Sequence, residues 1–282
     1  MLLVLLLGLF QPPAQATGTT CFQQDNSVVL EIVVPRDVRL FVADDGQIKW
    51  ADVMASKAFD CGDATVRNVD SVEASANSPD DTRLILDVAR KFAPGDTAEA
   101  MGKSEIEFAI TGDTNENTLQ IRGGRKSDRF VAGAAGIALN DDGDVDISSP
   151  TADEYVFLGK GGIDYLSGNG GNGTGNAFDT ALTIYGNGGG DRLLGTNARD
   201  QLLGSAGGDF VDGGGRGDIV FGNGGEDVLL GRSGADELDG HGGPDRLRGH
   251  GGADNLEGGP GTDDCKGGPG TDVVSTCETG GG

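Results

Sequence analysis

Ten aspartates keep strict phase in the C-terminal third of the chain: Asp191, Asp200, Asp209, Asp218, Asp227, Asp236, Asp245, Asp254, Asp263 and Asp272, one every nine residues. A carboxylate is a hard oxygen donor. A regular file of carboxylates is a ligand array for a hard cation that takes about six to eight oxygens. Ca²⁺ suits such an array better than Mg²⁺, which keeps its waters and demands a tighter octahedron. Asp128, Asp146 and Asp164 fall in the same phase upstream, and Asp164 is a further candidate ligand.

The elements that would hold this array repeat with it. A glycine stands five positions before each aspartate, from Gly186 through Gly267. An apolar residue follows two positions after each: Leu193, Leu202, Val211, Val220, Leu229, Leu238, Leu247, Leu256, Cys265 and Val274. Each unit therefore reads as a Gly-rich turn, which tolerates φ > 0, and a very short strand. The middle side chain of that strand points inward and its neighbours point out. Two units make a coil of 18 residues, and coils stack at about 4.8 Å.

Asp191 then lies over Asp209, Asp227, Asp245 and Asp263, while Asp200 heads a second column through Asp218, Asp236, Asp254 and Asp272. Carboxylates at that spacing repel unless a cation lies between them. Turn carbonyls near Gly186, Gly204, Gly222, Gly231, Gly240, Gly249, Gly258 and Gly267 would complete each shell, because a Cβ there would obstruct oxygens converging on an ion. The gaps in the two columns predict roughly eight Ca²⁺ ions.

Composition agrees. The chain of 282 residues has 52 glycines, only 5% aromatics and a formal charge of -24. That is too little large apolar side chain for a conventional core, and self-repulsion favours expansion unless counter-ions bind. Nucleic acid is excluded as a partner, since no basic stretch exists to neutralise phosphates. Residues 1–16 read as a secretory signal: an apolar run from Leu2 to Phe10, Pro12-Pro13, and the cleavage site Ala14-Gln15-Ala16. A buried strand or helix is the alternative. The run is too short to span a bilayer, so no transmembrane segment is expected and the protein is expected outside the cell. Cys21, Cys61, Cys265 and Cys277 suit two disulfides. Three connectivities exist, and one pair per region, Cys21–Cys61 with Cys265–Cys277, is favoured.

Residues 17–118 read as a small β-rich domain. Val28 to Val34 is a strand, and Val38 to Val42 and Gln47 to Trp50 flank the hairpin signal Asp44-Asp45-Gly46. Thr82 to Val88 and Glu105 to Ile110 alternate, Pro94-Gly95 punctuates between them, and Asp52 to Phe59 fits one short helix. Residues 119–185 continue the ninefold frame in decayed form, with Ile121, Phe130, Leu139, Phe157, Leu166 and Ile184 in the apolar slot. Around Gly173 and Gly175 the slots are lost to a degenerate coil or a bulging loop. Residues 186–282 form the regular roll with a C-terminal cap.

These residues resemble the hemolysin-type (RTX) calcium-binding repeat, G-G-x-G-x-D-x-U-x with U apolar. Gly258-Gly259-Pro260-Gly261-Thr262-Asp263 and Gly267-Gly268-Pro269-Gly270-Thr271-Asp272 carry the resemblance best. It covers residues 186–274 strongly and reaches back to about residue 121. It implies an all-β fold, a parallel β-roll (a right-handed β-solenoid) with Ca²⁺ in its turns. Asn187, Thr196, Ser205, Asn223, Arg232, His241 and His250 depart from the second Gly, and Ala198 and Arg216 from the fourth-position Gly. The layout is similar to small secreted bacterial calcium-binding proteins.

Catalysis is not expected. The only histidines, His241 and His250, lie in different repeat turns, so H-E-x-x-H is absent. No serine is flanked by Gly on both sides as in G-x-S-x-G, and Ser–His or Cys–His chemistry lacks its base. Three readings stand: a secreted, calcium-folded structural or interaction module; a calcium-dependent hydrolase with its site in residues 17–118; and an ice-surface or adhesion roll. The outward positions Arg192, Gln201, Glu237, Arg246, Asn255 and Asp264 lack the Thr ladder of an ice binder. Outward Leu194, Phe210, Val228 and Leu230 on one sheet, with Leu203, Ile219 and Phe221 on the other, form an apolar patch on the middle coils. Such patches tend to be contact sites. The N-terminal β region folded over one sheet, self-association, or an unidentified extracellular protein or surface partner would each account for it.

Overall fold

Period-2 alternation with a glycine-rich turn every ninth residue leaves the repeat region no length for a helix. A computed structural model describes residues 19–24, 27–32, 37–43, 47–52, 58–65, 71–76, 82–87, 107–111, 117–139, 145–171 and 174–278, and no helix occurs among them. The strands form two sheets, one of 13 and one of 12.

In the repeat region each coil adds one strand to each sheet. The first sheet takes Arg192–Leu194, Phe210–Gly215, Val228–Ser233, Arg246–Gly251 and Asp264–Lys266. The second takes Leu182–Gly188, Gln201–Ala206, Ile219–Gly224, Glu237–Gly242, Asn255–Glu257 and Val273–Ser275. Pairing is parallel and in the expected register, Leu193 with Val211 and Leu202 with Val220. The middle residue of each strand faces the other sheet. Leu193, Leu202, Val211, Val220, Leu229, Leu238, Leu247, Leu256 and Cys265 are at most 1% exposed, so the core is two facing files of inward side chains, one from each sheet. Successive turns touch backbone to backbone. Gly207, Gly225 and Gly243 adopt φ of +130°, +146° and +136°, and a Cβ on any of them would overlap the carbonyl oxygen of the glycine 18 residues earlier.

The β region expected over residues 17–118 is strand wherever it is described, and it joins the roll through the same two sheets. Ser27–Ile32, Ser71–Ala76 and Glu107–Thr111 pair in parallel in the first sheet. Asp37–Val42, Thr82–Asp87, Asn117–Arg122 and Glu154–Gly161 do so in the second. The upstream frame is kept by stretched coils: Ile121, Phe157, Ile184 and Leu202 pair in one continuous register. Between Ile121 and Phe157, Arg129–Gly133 and Gly136–Ala138 form an antiparallel excursion that ends on Ile147–Thr151. Leu139 follows that hairpin and only packs against the core. Residues 168–171 and 174–181 lie in the bulging loop, and residues 172–173, Gly173 among them, lie outside the described residues.

Two expectations are corrected. Asp52 ends the strand Gln47–Asp52, and Ala58 and Phe59 begin Ala58–Thr65, so both ends of the expected helix are strand; residues 53–57 lie outside the described residues. The alternation Ile48, Trp50 on the inner face is the stronger signal there, both being buried. Nor do the described residues of the N-terminal region fold back over an outer face; they stack along the sheets edge to edge. The hairpin is present, Val42 pairing with Ile48, while Asp44-Asp45-Gly46, Pro94-Gly95 and residues 1–16 lie outside the described residues.

Both ends of the stack are clamped across the two sheets. Cys21 of Thr19–Gln24, on the edge of the first sheet, is bonded to Cys61 of Ala58–Thr65, on the edge of the second. Cys265 in Asp264–Lys266 is bonded to Cys277, just past Val273–Ser275. A solenoid end is an open edge, and each disulfide ties its two edge strands together.

Candidate metal centre

The 18-residue coil brings the aspartates into two columns, and each is held in the same way. The backbone N–H of Asp191 donates to Oδ1 of Asp209 at 2.7 Å. The bond recurs from Asp209 to Asp227, Asp227 to Asp245 and Asp245 to Asp263. In the second column it links Asp200 to Asp218, Asp218 to Asp236, Asp236 to Asp254 and Asp254 to Asp272. Two upstream residues join the first column: Asp128 donates to Asp164 across 36 residues, and Asp164 donates to Asp191 across 27. Asp164 is thus placed like a regular member although its coils are longer.

With Oδ1 so engaged, the second carboxylate oxygen is left over. Oδ2 of Asp164, Asp191, Asp209, Asp218, Asp227, Asp236, Asp245 and Asp254 is buried and accepts no hydrogen bond. Each lies over the glycine five residues before it, and in most turns the carbonyl of the next coil arrives at the same place. A Cβ on Gly222 would lie 2.5 Å from Asp227 Oδ2 and 3.0 Å from the Gly240 oxygen. On Gly240 the values are 2.5 Å to Asp245 Oδ2 and 2.7 Å to the Gly258 oxygen. Hydrogen at this position is what lets two oxygens converge.

A buried carboxylate oxygen facing a carbonyl oxygen is repulsive unless a proton or a cation lies between them. Burial, first of all, pushes the carboxyls up: Asp218 to about 8, Asp245 to about 7, and Asp164, Asp209 and Asp236 to about 6. Asp191, Asp227 and Asp254 are raised by the same cause. Among the described residues no three His, Cys, Asp or Glu side chains converge as a group. The donor set is one carboxylate plus backbone carbonyls, repeated. That is the oxygen-only chemistry of a Ca²⁺ site, and these residues fit the ion.

Asp200 departs from this arrangement. Thr196 occupies the second-Gly position, and its N–H donates to Asp200 Oδ2 at 2.6 Å while its hydroxyl reaches both carboxylate oxygens at 3.0 and 3.1 Å. Every other non-Gly residue at that position adopts positive φ, from Asn187 to His250, but Thr196 does not. Upstream of Asp200, Leu182 donates its N–H to Oδ1 at 2.7 Å and supplies no carboxylate. The hydroxyl in the sequence was the signal for this: in a turn, Thr bonds the local carboxylate itself. Asp272 ends its column half-exposed. Asp146 lies outside the columns and accepts from Leu139 N–H at 2.6 Å. His241 and His250 lie on opposite sheets.

Comparison with known families agrees with this geometry. Residues 185–215, 212–247 and 239–274 match the family of the RTX calcium-binding nonapeptide repeat (4 copies). No curated protein and no solved structure matched the chain. No helix among the described residues is long and apolar enough to cross a membrane. Residues 185–274 are an RTX calcium-binding β-roll.

Proposed function

We propose that this is a secreted protein whose roll folds around a file of Ca²⁺ ions and then serves as an extracellular structural or interaction module without catalysis of its own. The observation that carries the reading is the row of buried Asp oxygens with no hydrogen bond, most of them beside a carbonyl of the next coil. Eight such oxygens, from Asp164 to Asp254, support eight ions. Asp164 is included, and Asp200 is left out because Thr196 already satisfies it. Export fits an N-terminal apolar run before Ala14-Gln15-Ala16 and two disulfides, which persist in oxidising compartments.

Isothermal titration of the full chain with Ca²⁺ tests the metal reading, with about eight ions bound expected and binding of one or two contradicting it. Mass analysis of the exported protein tests secretion, with cleavage after Ala16 expected. A hydrolase in residues 17–118 has less support. The polar depression on the outer face of the second sheet, about 340 Å³, is lined by Asp37, Arg83, Thr118, Gln120, Glu154 and Tyr185 among others. Its carboxylates are already engaged, Asp37 with Arg83 and Glu154 with the Thr118 hydroxyl. A hydrolase panel run with and without Ca²⁺ separates the two readings.

A further inference from the structure

The first aspartate column should end at Asp263, because the residue 18 positions further on is Gly281. It does not end there. The Asp263 N–H donates to Oε2 of Glu278 at 2.6 Å, the bond that every earlier member of the column makes to the next aspartate. The tail reproduces the rest of the turn as well. Thr276 stands 18 residues after Gly258, and a Cβ on Gly258 would lie 2.5 Å from the Thr276 oxygen and 2.7 Å from Asp263 Oδ2. That matches the pair seen one coil earlier at Gly240, with Asp245 Oδ2 at 2.5 Å and the Gly258 oxygen at 2.7 Å. Two further bonds hold this segment in register: Gly258 N–H to the Ser275 oxygen at 3.1 Å, and Gly259 N–H to the Thr276 hydroxyl at 2.8 Å. Asp263 itself is fully buried.

From these we propose that Glu278, which is not a repeat residue, stands in for the missing aspartate and completes a terminal Ca²⁺ site with Asp263 and the Thr276 carbonyl. The inference rests on the calcium reading above. The Cys265–Cys277 disulfide gives the site its geometry. It fastens the residue before Glu278 to the strand that begins just after Asp263, so a flexible glutamate needs no further coil to reach its place. The terminal site is thereby tied to the oxidation state of the disulfide. Reduction frees the tail and opens this site, while the interior sites keep their donors.

The test is native mass spectrometry and calorimetry of the full, oxidised chain in Ca²⁺, comparing the parent with Glu278→Ala, Glu278→Gln and the parent after mild reduction. The expected result is one ion fewer for Glu278→Ala and for the reduced parent. Glu278→Gln keeps an acceptor for Asp263 N–H but loses the charge, so its weakest site should bind at least about tenfold more loosely. If Glu278→Ala keeps the parent's ion count and affinities, the proposal is overturned while the interior sites stand. If only Glu278→Ala loses the ion and Glu278→Gln binds like the parent, Glu278 is a structural cap and the proposal is likewise overturned. A parent that binds no Ca²⁺ overturns this proposal and the calcium reading together.

Discussion

Asp227 lies mid-column, and its two carboxylate oxygens have different duties. Oδ1 accepts the Asp209 N–H at 2.7 Å, and Oδ2 faces the Gly240 carbonyl with no hydrogen bond. Asp227→Ala therefore does two things when Ca²⁺ is present. It leaves a buried N–H without a partner, which costs about 1–3 kcal/mol. It also removes an ion whose binding, at a hundredfold excess over Kd, contributes about 2.7 kcal/mol. The sum is roughly 4–6 kcal/mol, and it falls in the middle of a stack whose coils depend on nearest neighbours. Asp272 accepts the Asp254 N–H at 3.0 Å but is half-exposed at the column's end, so water can replace it and Asp272→Ala should cost less than about 1 kcal/mol. Urea unfolding in millimolar Ca²⁺, followed by circular dichroism, measures both. Equal losses for the two variants would refute the stacking register.

Other consequences follow from the same geometry. Without Ca²⁺ the buried carboxyls have folded pKa values above the unfolded value, with Asp218 near 8 and Asp245 near 7. Their contribution is then present below the unfolded Asp value of about 4 and is lost as pH rises through the folded values. With Ca²⁺ the sign reverses: the ion holds the carboxylates ionised, the folded pKa falls below the unfolded one, and stability is lost on acidification. The β content on going from pH 4 to pH 8 should fall in chelator and rise in Ca²⁺; parallel trends would contradict the assignment. Thr196→Gly should free Asp200 and add one ion in native mass spectrometry, and an unchanged count would mean that Leu182 or Ala198 closes that turn independently. On the outer faces, Phe210 lies under the Arg192 guanidinium at 4.3 Å and Phe221 meets His241 edge-on at 5.9 Å. If this patch is a contact surface, Phe210→Ser with Phe221→Ser should abolish self-association or partner capture at unchanged Ca²⁺ affinity. A double mutant with the parent's oligomeric state and partners removes that role.

The regular half was legible because one period set the turn, the strand and the ligand at once. Ten aspartates and ten apolar slots in phase allow one stacking register, and Leu193 over Val211 follows from it. The two disulfides were legible once each region was given its own pair of cysteines. Less legible was the continuity of the first half with the roll, because its coils vary in length. Asp128 to Asp164 spans 36 residues and Asp164 to Asp191 spans 27, and a hairpin inserted into a coil erases the periodicity while leaving the stacking intact. The ends of the Asp52–Phe59 segment are strand because a sheet edge recruits Ala58–Thr65, which the local pattern does not report. Thr196 and Glu278 act through side-chain reach rather than spacing. Neither a self-satisfied turn nor a substitute carboxylate has a periodic signature.

The central claim is that calcium holds this roll together. Its most direct test is the far-ultraviolet circular dichroism of the full chain at low salt, in chelator and then in millimolar Ca²⁺. The two inward residues of each coil bury too little to offset stacked, ionised carboxylates near neutral pH. The expected result is a largely unstructured spectrum over the repeat region in chelator and a large cooperative gain of β signal on adding Ca²⁺. A chain equally rich in β structure in chelator at neutral pH, unchanged by the ion, would contradict the account.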